Sequence, residues 1–302
     1  MAKLEEYASL EGKGSVFVTN KCICNKEELQ NAIDSLRGNG KHFFFRGLSE
    51  AKYKLYTSGQ REYIQNEYEK LDILYPDFMR FLYDKVSSNR DLLEYHKVAH
   101  IQENASYFFT YLQHYGAPTP YIDFTTDILV ALFFCFYHSQ HIPSDKKIDN
   151  FCSVYYIAQS DIDYLVDKYN RLNDMPNNQQ HRQTDNKFSK ADLSLNTLQG
   201  LETFYMDWHR QQGDFATKRF VYRMPNRYML VQKGALIYNA DGTKPLENID
   251  DFKQKIGCLN IHKSLCDYIK VAYLKNDVTE EKLFPDESKI AKQAYLEFKQ
   301  KL

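Results

Sequence analysis

The spacing of apolar residues divides the chain into segments with different periods. Asn25 followed by Glu28 has the form of a helix cap, and Leu29, Ile33 and Leu36 then recur on one face until Gly38–Gly40. That predicts a helix ended by glycines. In the run KHFFFRG that follows, Phe43–Phe45 are aromatic and bounded by turn residues, which predicts a short buried strand. From about Glu62 to Leu112 the pattern is mostly helical, with a break at Ser87–Asn89, and Ile101, Ala105, Phe108 and Leu112 share an inward face. Gly116 suits a left-handed helix cap, Pro118 and Pro120 impose extended backbone, and Tyr121–Phe124 reads as a strand. Thr125, Thr126 or Asp127 caps the next helix. Its apolar run, Ile128–Tyr137, is ten residues against the ~20 that a membrane-spanning helix needs, so it predicts a buried helix.

Phe151–Ala158, β-branched and aromatic, predicts a further strand. Residues 170–200 turn polar and read as a loop or insertion. NRYMLVQKGALIYN, Asn226–Asn239, reads as two short strands or one bulged strand around Gly234. The remainder reads as helical, with a last helix after Pro285 carrying Ile290, Ala294 and Phe298 on one side. The expected fold is α+β, a small mixed or antiparallel sheet wrapped by helices. Residues 1–24 are read as an N-terminal extension and 25–302 as a single domain.

Composition narrows the function. The 302 residues carry a net charge of -1 and a pI near 6.8, so no global positive field attracts a nucleic-acid backbone and any such contact is local. With Tyr 24 and Phe 20, rings are plentiful for a core, a stacking pocket or both. The first fifteen residues lack an apolar centre, which predicts no secretory signal, a cytoplasmic location and reduced thiols at the six cysteines. Cys22 and Cys24 have no matching second pair, and His96 and His100 have no acidic motif between them, so no metal site is predicted. Phosphate-loop and dinucleotide glycine signatures are absent from the sequence.

Arg46 is the first candidate for chemistry. A guanidinium tethered to a buried strand needs an anion, either an internal partner such as Asp123 or a ligand phosphate or carboxylate. The second candidate is QHYGAPTPYIDFTTD, a polar turn directly ahead of the most apolar helix, which suits an anion or sugar. Its residues also serve as turn and helix caps. His114 reads equally as an acid, base or ligand clamp and as a turn-fixing residue.

Together FFFRG, LYTSGQR, LQHYGAPTPYIDFTTDILVALFFC, NRYMLVQKGALIY and KLFPDESKIAK resemble the FRG domain family, named for its Phe-Arg-Gly motif. The match covers His114, Tyr115, Gly116, Pro118, Thr119, Asp123 and Thr125, while Pro120 replaces the family's arginine and Phe124 its tryptophan. The family occurs in bacterial and phage-related proteins, and its name carries no mechanism. The motif order is also similar to that of ADP-ribosyltransferases. This analogy implies NAD as substrate, with Arg46 on the diphosphate, Thr119 or Thr125 lining the pocket and Gln232 near the ribose. Gly234 stands where a catalytic glutamate is common, so Asp123 is the substitute anion. The expected pocket comprises Arg46, Arg61, Tyr115, Thr119 and Thr125 as ligand-binding residues and Asp123, His114 and Gln232 as catalytic ones. The expected role is an NAD-using transferase or hydrolase acting as a toxin or phage-defence effector on a nucleic-acid or protein acceptor. The alternatives are a non-catalytic nucleic-acid or protein binding module using Lys41, Arg46, Lys52, Lys54 and Arg61 with nearby rings, and motifs that only hold the fold together.

Overall fold

The computed structural model describes residues 2–38, 40–98, 105–137, 147–165, 227–239, 241–275, 277–285 and 299. Among them a six-stranded mixed sheet forms the centre. It contains β1 (Thr19–Ile23), β2 (Phe43–Leu48), β3 (Tyr121–Thr125), β4 (Phe151–Ala158), β5 (Gly234–Tyr238) and β6 (Ile256–His262), in the order β1-β6-β4-β2-β3-β5. Only the β1–β6 pair is parallel.

Helices cover both faces. They are α1 (Leu10–Gly14), α2 (Lys26–Gly38), α3 (Ser58–Gln65), α4 (Tyr75–Ser87), α5 (Arg90–Val98), α6 (Ala105–His114), α7 (Ile128–Phe136), α8 (Arg227–Val231), α9 (Cys266–Ile269) and α10 (Glu280–Leu283). The predicted starts and stops appear where the local chemistry asks for them. Asn25 accepts the Glu28 amide at 2.9 Å, while the Glu28 carboxylate accepts the Cys24 amide. Asp127 accepts the Leu129 amide at 3.0 Å to cap α7, and Gly116 is left-handed after α6.

Strand alternation splits the core in two. Phe44, Tyr155 and Cys258 enter a core with Tyr75, Met79 and Phe109, whereas Phe45, Val154 and Leu259 enter one with α2, α7 and α9. α7 lies directly on β2. A Cβ added at Gly47 would fall 1.9 Å from the Ala131 carbonyl oxygen, so only glycine lets the two backbones meet.

Three expectations are corrected. Arg227–Val231 is a short helix rather than a strand, because Lys233 takes a left-handed turn (φ 49) that folds α8 back against the start of β5. The C-terminal region contains β6, whose seven residues are all buried; a strand covered on both faces lacks the apolar–polar alternation that marks a half-exposed one. The Phe43 strand also continues through Leu48, so Arg46 and Gly47 lie within it.

The segment before Asn25 supplies β1 and the buried Lys13. The Lys13 ammonium donates to Ala51 O (2.8 Å), Ser153 Oγ (2.7 Å) and Asn260 Oδ1 (2.8 Å), and lies 4.7 Å from the Tyr155 ring centre. Burial lowers its pKa, and its three donors are matched by three acceptors. The predicted helix after Pro285, the 170–200 segment and His100 lie outside the described residues.

Gly47→Ala is expected to lower unfolding free energy by about 3 kcal/mol or more, measured by urea denaturation. Gly38→Ala, where the added methyl meets nothing within 4 Å, is the control and should leave stability unchanged or raised.

Candidate functional site

β2 sets the site through its alternation. Phe45 points into the α7 core, Gly47 admits the α7 backbone, and Arg46 between them lines a cavity of about 610 Å³. Its floor comes from β2, β3 and β5, and its walls from α6, α7 and α8. That volume is typical of a small-molecule site.

Arg46 is not paired with the Asp123 carboxylate, so an internal salt bridge is ruled out for this pair. Its Nη1 instead donates to the backbone carbonyl of Asp123 at 2.5 Å, and its buried Nε has no hydrogen-bond partner. Among the described residues that carbonyl is the one acceptor for a group with five N–H donors. Burial lowers the Arg46 pKa; the charge of Asp123 raises it and that of Arg61 lowers it.

The Asp123 carboxylate is held by a neutral amide. Gln113 Nε2 donates to Asp123 Oδ1 in a short bond, and Gln113 Oε1 accepts from Thr119 Oγ1 at 2.8 Å. Thr119 is in turn tied to the start of α3: its amide donates to Ser58 Oγ (2.9 Å) and its carbonyl accepts from the Gly59 amide (2.8 Å). Thr119 is therefore fully buried and outside the cavity lining, and it acts on the site only through Gln113. LYTSGQR is largely scaffold. Thr57 and Gln60 form a capping box, and Gln60 Nε2 also donates to the carbonyls of Asp241 and Lys244. Arg61 donates to Tyr56 O at 3.0 Å and is not part of the lining, yet its charge and that of Asp123 act on each other.

His114, Tyr115, Asp123, Thr125 and Gln232 do line the cavity with Arg46. Thr125 is committed to structure: its hydroxyl donates to Gln232 O (2.7 Å) and accepts the Asp127 amide. Gln232 Nε2 donates to Leu283 O at 3.0 Å, which fastens α10 beside the cavity. The His114 ring lies 4.8 Å from that of Tyr115 and 5.3 Å from that of Tyr228. Tyr115 is 69% exposed, and Phe134 and Phe284, 6.2 Å apart, complete an aromatic rim.

Sequence reasoning missed Gln113, Tyr228, Phe134 and Phe284. Gln113 stands immediately before His114 in the quoted motif, so its position was the available signal. Phe134, Tyr228 and Phe284 also lie within the quoted motifs, but in three blocks far apart in sequence, and only the fold shows that they meet at one rim. The two departures from the family pattern fall on buried positions: Pro120 O accepts the Asn239 amide, and Phe124 packs in the core.

The fold and site define an α+β domain with a charged, ring-lined cavity on its sheet. The sequence model of the FRG domain matches residues 41–143, and the chain carries an FRG domain over that stretch. The match spans β2, α3, α4, α5, α6, β3 and α7, including Arg46, Gln113 and Asp123, and leaves Gln232 outside. No curated protein and no solved structure matches the chain. Likeness to ADP-ribosyltransferases rests on motif order alone.

Arg46→Met keeps the aliphatic stem and removes the poorly matched cation. It is expected to raise unfolding free energy by about 1–3 kcal/mol, seen as a higher Tm in calorimetry. A fall in Tm would make Arg46 a structural residue.

Proposed function

We propose that the cavity binds a nucleotide, with NAD as its substrate. The observation that carries this reading is the Arg46 guanidinium, held in the cavity wall with a single carbonyl partner. A partly buried cation so poorly matched is stabilised by an anionic ligand, and a phosphate fits its planar fork. Exposed rings at the rim supply stacking surfaces for a base.

In this reading the bond between ribose C1′ and the nicotinamide nitrogen breaks, and its electron pair stays on nicotinamide. A water or acceptor oxygen then bonds to C1′, and its proton passes to Asp123 or His114. Asp123 is the negative group near the developing sugar cation. Gln232, neutral and bonded to Leu283 O, positions α10 at the cavity edge. An effector role in toxicity or phage defence follows if NAD is consumed.

The alternative as a nucleic-acid binding surface has less support. Lys52 pairs with Asp149 at 3.0 Å and Lys54 with Glu5 at 2.6 Å, while Phe44 and Tyr56 are buried. The cations of that stretch are largely offset.

Incubation of the purified chain with NAD, followed by mass spectrometry, is expected to yield nicotinamide and ADP-ribose or an ADP-ribosylated acceptor. Arg46→Met should weaken NAD binding by about tenfold or more, since charge-assisted phosphate contacts carry ~1.5–3 kcal/mol. Absence of both binding and turnover sinks the proposal.

A further inference from the structure

We infer that the outer edge of β5 binds an extended segment of a partner polypeptide as an added strand and holds every second side chain of it over the cavity. The edge takes this ligand whatever molecule fills the cavity; only the use of the segment as an acceptor rests on the nucleotide reading above.

β5 ends the sheet, and among the described residues β3 is its one strand neighbour. The Thr126 amide donates to the Lys233 carbonyl and the Asn239 amide to the Pro120 carbonyl, so the pairs Phe124–Ala235 and Ile122–Ile237 between them exchange the ladder bonds. Gly234 and Leu236 therefore turn both N–H and C=O away from β3. Asp123, which stands opposite Leu236, follows the same pattern: its carbonyl points away from β5, where Arg46 takes it. Among the described residues no hydrogen-bond partner meets the outward groups of Gly234 or Leu236, and both residues are partly exposed.

Main-chain donors and acceptors repeating every second residue fit one class of ligand, another extended backbone. The opposite edge of the sheet is guarded against such pairing, because β1 is polar and carries the exposed Lys21. β5, Gly-Ala-Leu-Ile-Tyr, has neither charge nor proline. It also borders the cavity, since Gly234 and Leu236 both line it. In a strand added about 4.8 Å beyond β5, the residues beside those two point to the same face, towards the cavity. Gly234 has no side chain of its own, so the residue beside it overhangs the cavity directly. Pairing with a second copy of the chain, two-fold about Leu236, would set Tyr238 of the copy in that place, but Tyr238 is buried in its own core. A foreign segment is the occupant that can lend the cavity a side chain.

An array of randomised synthetic peptides of about ten residues, probed with the full chain, tests this. Bound peptides are expected. For the tightest of them, followed in solution by fluorescence anisotropy, methylating one set of alternate backbone nitrogens should weaken binding about tenfold or more, while methylating the other set leaves it unchanged. Leu236→Pro removes an outward N–H without breaking a bond to β3 and should weaken the same peptide about tenfold. Leu236→Ala keeps that N–H and should change binding about twofold at most. If Leu236→Pro is misfolded by circular dichroism, the methylation series decides alone. No bound peptide, no two-residue period in the methylation series, or equal losses in Leu236→Pro and Leu236→Ala overturns the proposal. So does sedimentation of the chain as a dimer that Leu236→Pro turns into a monomer, which would give the edge to a second copy. None of these outcomes involves NAD, so nucleotide binding stands or falls separately.

Discussion

The contact between Gly47 and the Ala131 carbonyl governs how the rest of the site is assembled. Because no side chain separates them, α7 rests on the backbone of β2, and Phe45 is drawn into the core beneath α7. Strand alternation then leaves Arg46 no place in that core. The same docking brings the cap of α7 to the start of β5: Asp127 pairs with Lys233 at 2.7 Å, and Thr125 holds the Gln232 carbonyl. One close approach therefore sets the floor and the far wall of the cavity. The three letters of the Phe-Arg-Gly motif have three separate jobs, which are packing, charge and clearance.

Two buried or half-buried cations in the same chain show the difference between a structural charge and a functional one. Lys13 has three acceptors for three donors and a ring beside it; it joins α1, β4, β6 and the loop at Ala51. Nothing about it invites a ligand. Arg46 has one carbonyl and a buried Nε without a partner. Burial lowers both pKa values, but only Arg46 is under-matched by the protein and faces an open cavity.

Polar residues near the site divide in the same manner. Thr57, Ser58, Gly59, Gln60 and Thr119 satisfy one another and fix α3 to the loop before β3. Their output to the cavity is the orientation of a single amide, Gln113, and through it the orientation of the Asp123 carboxylate. The hydroxyl-rich turn that reads as a ligand cradle is mostly a brace for the acid beside it.

The sequence determined the elements whose signals are local: the cap at Asn25, the break near Ser87, the left-handed Gly116, the Asp127 cap, the strands at Phe43 and Phe151, and Arg46 as a cation needing an anion. It also carried the FRG resemblance that the family model matches over residues 41–143, because each motif block is a short run of neighbouring residues. Tertiary structure decided what those residues meet. The polar edge strand β1 and the fully buried β6 lack the alternation that betrays a strand; β1 is held by β6, and β6 lies between β1 and β4. That Arg46 takes a carbonyl rather than the Asp123 carboxylate, and that rings from α7, α8 and the residue after α10 close the cavity, depends on contacts between segments far apart in the chain. Spacing along a polymer records local geometry; which charges end up neutralised is fixed only when packing brings their partners within reach.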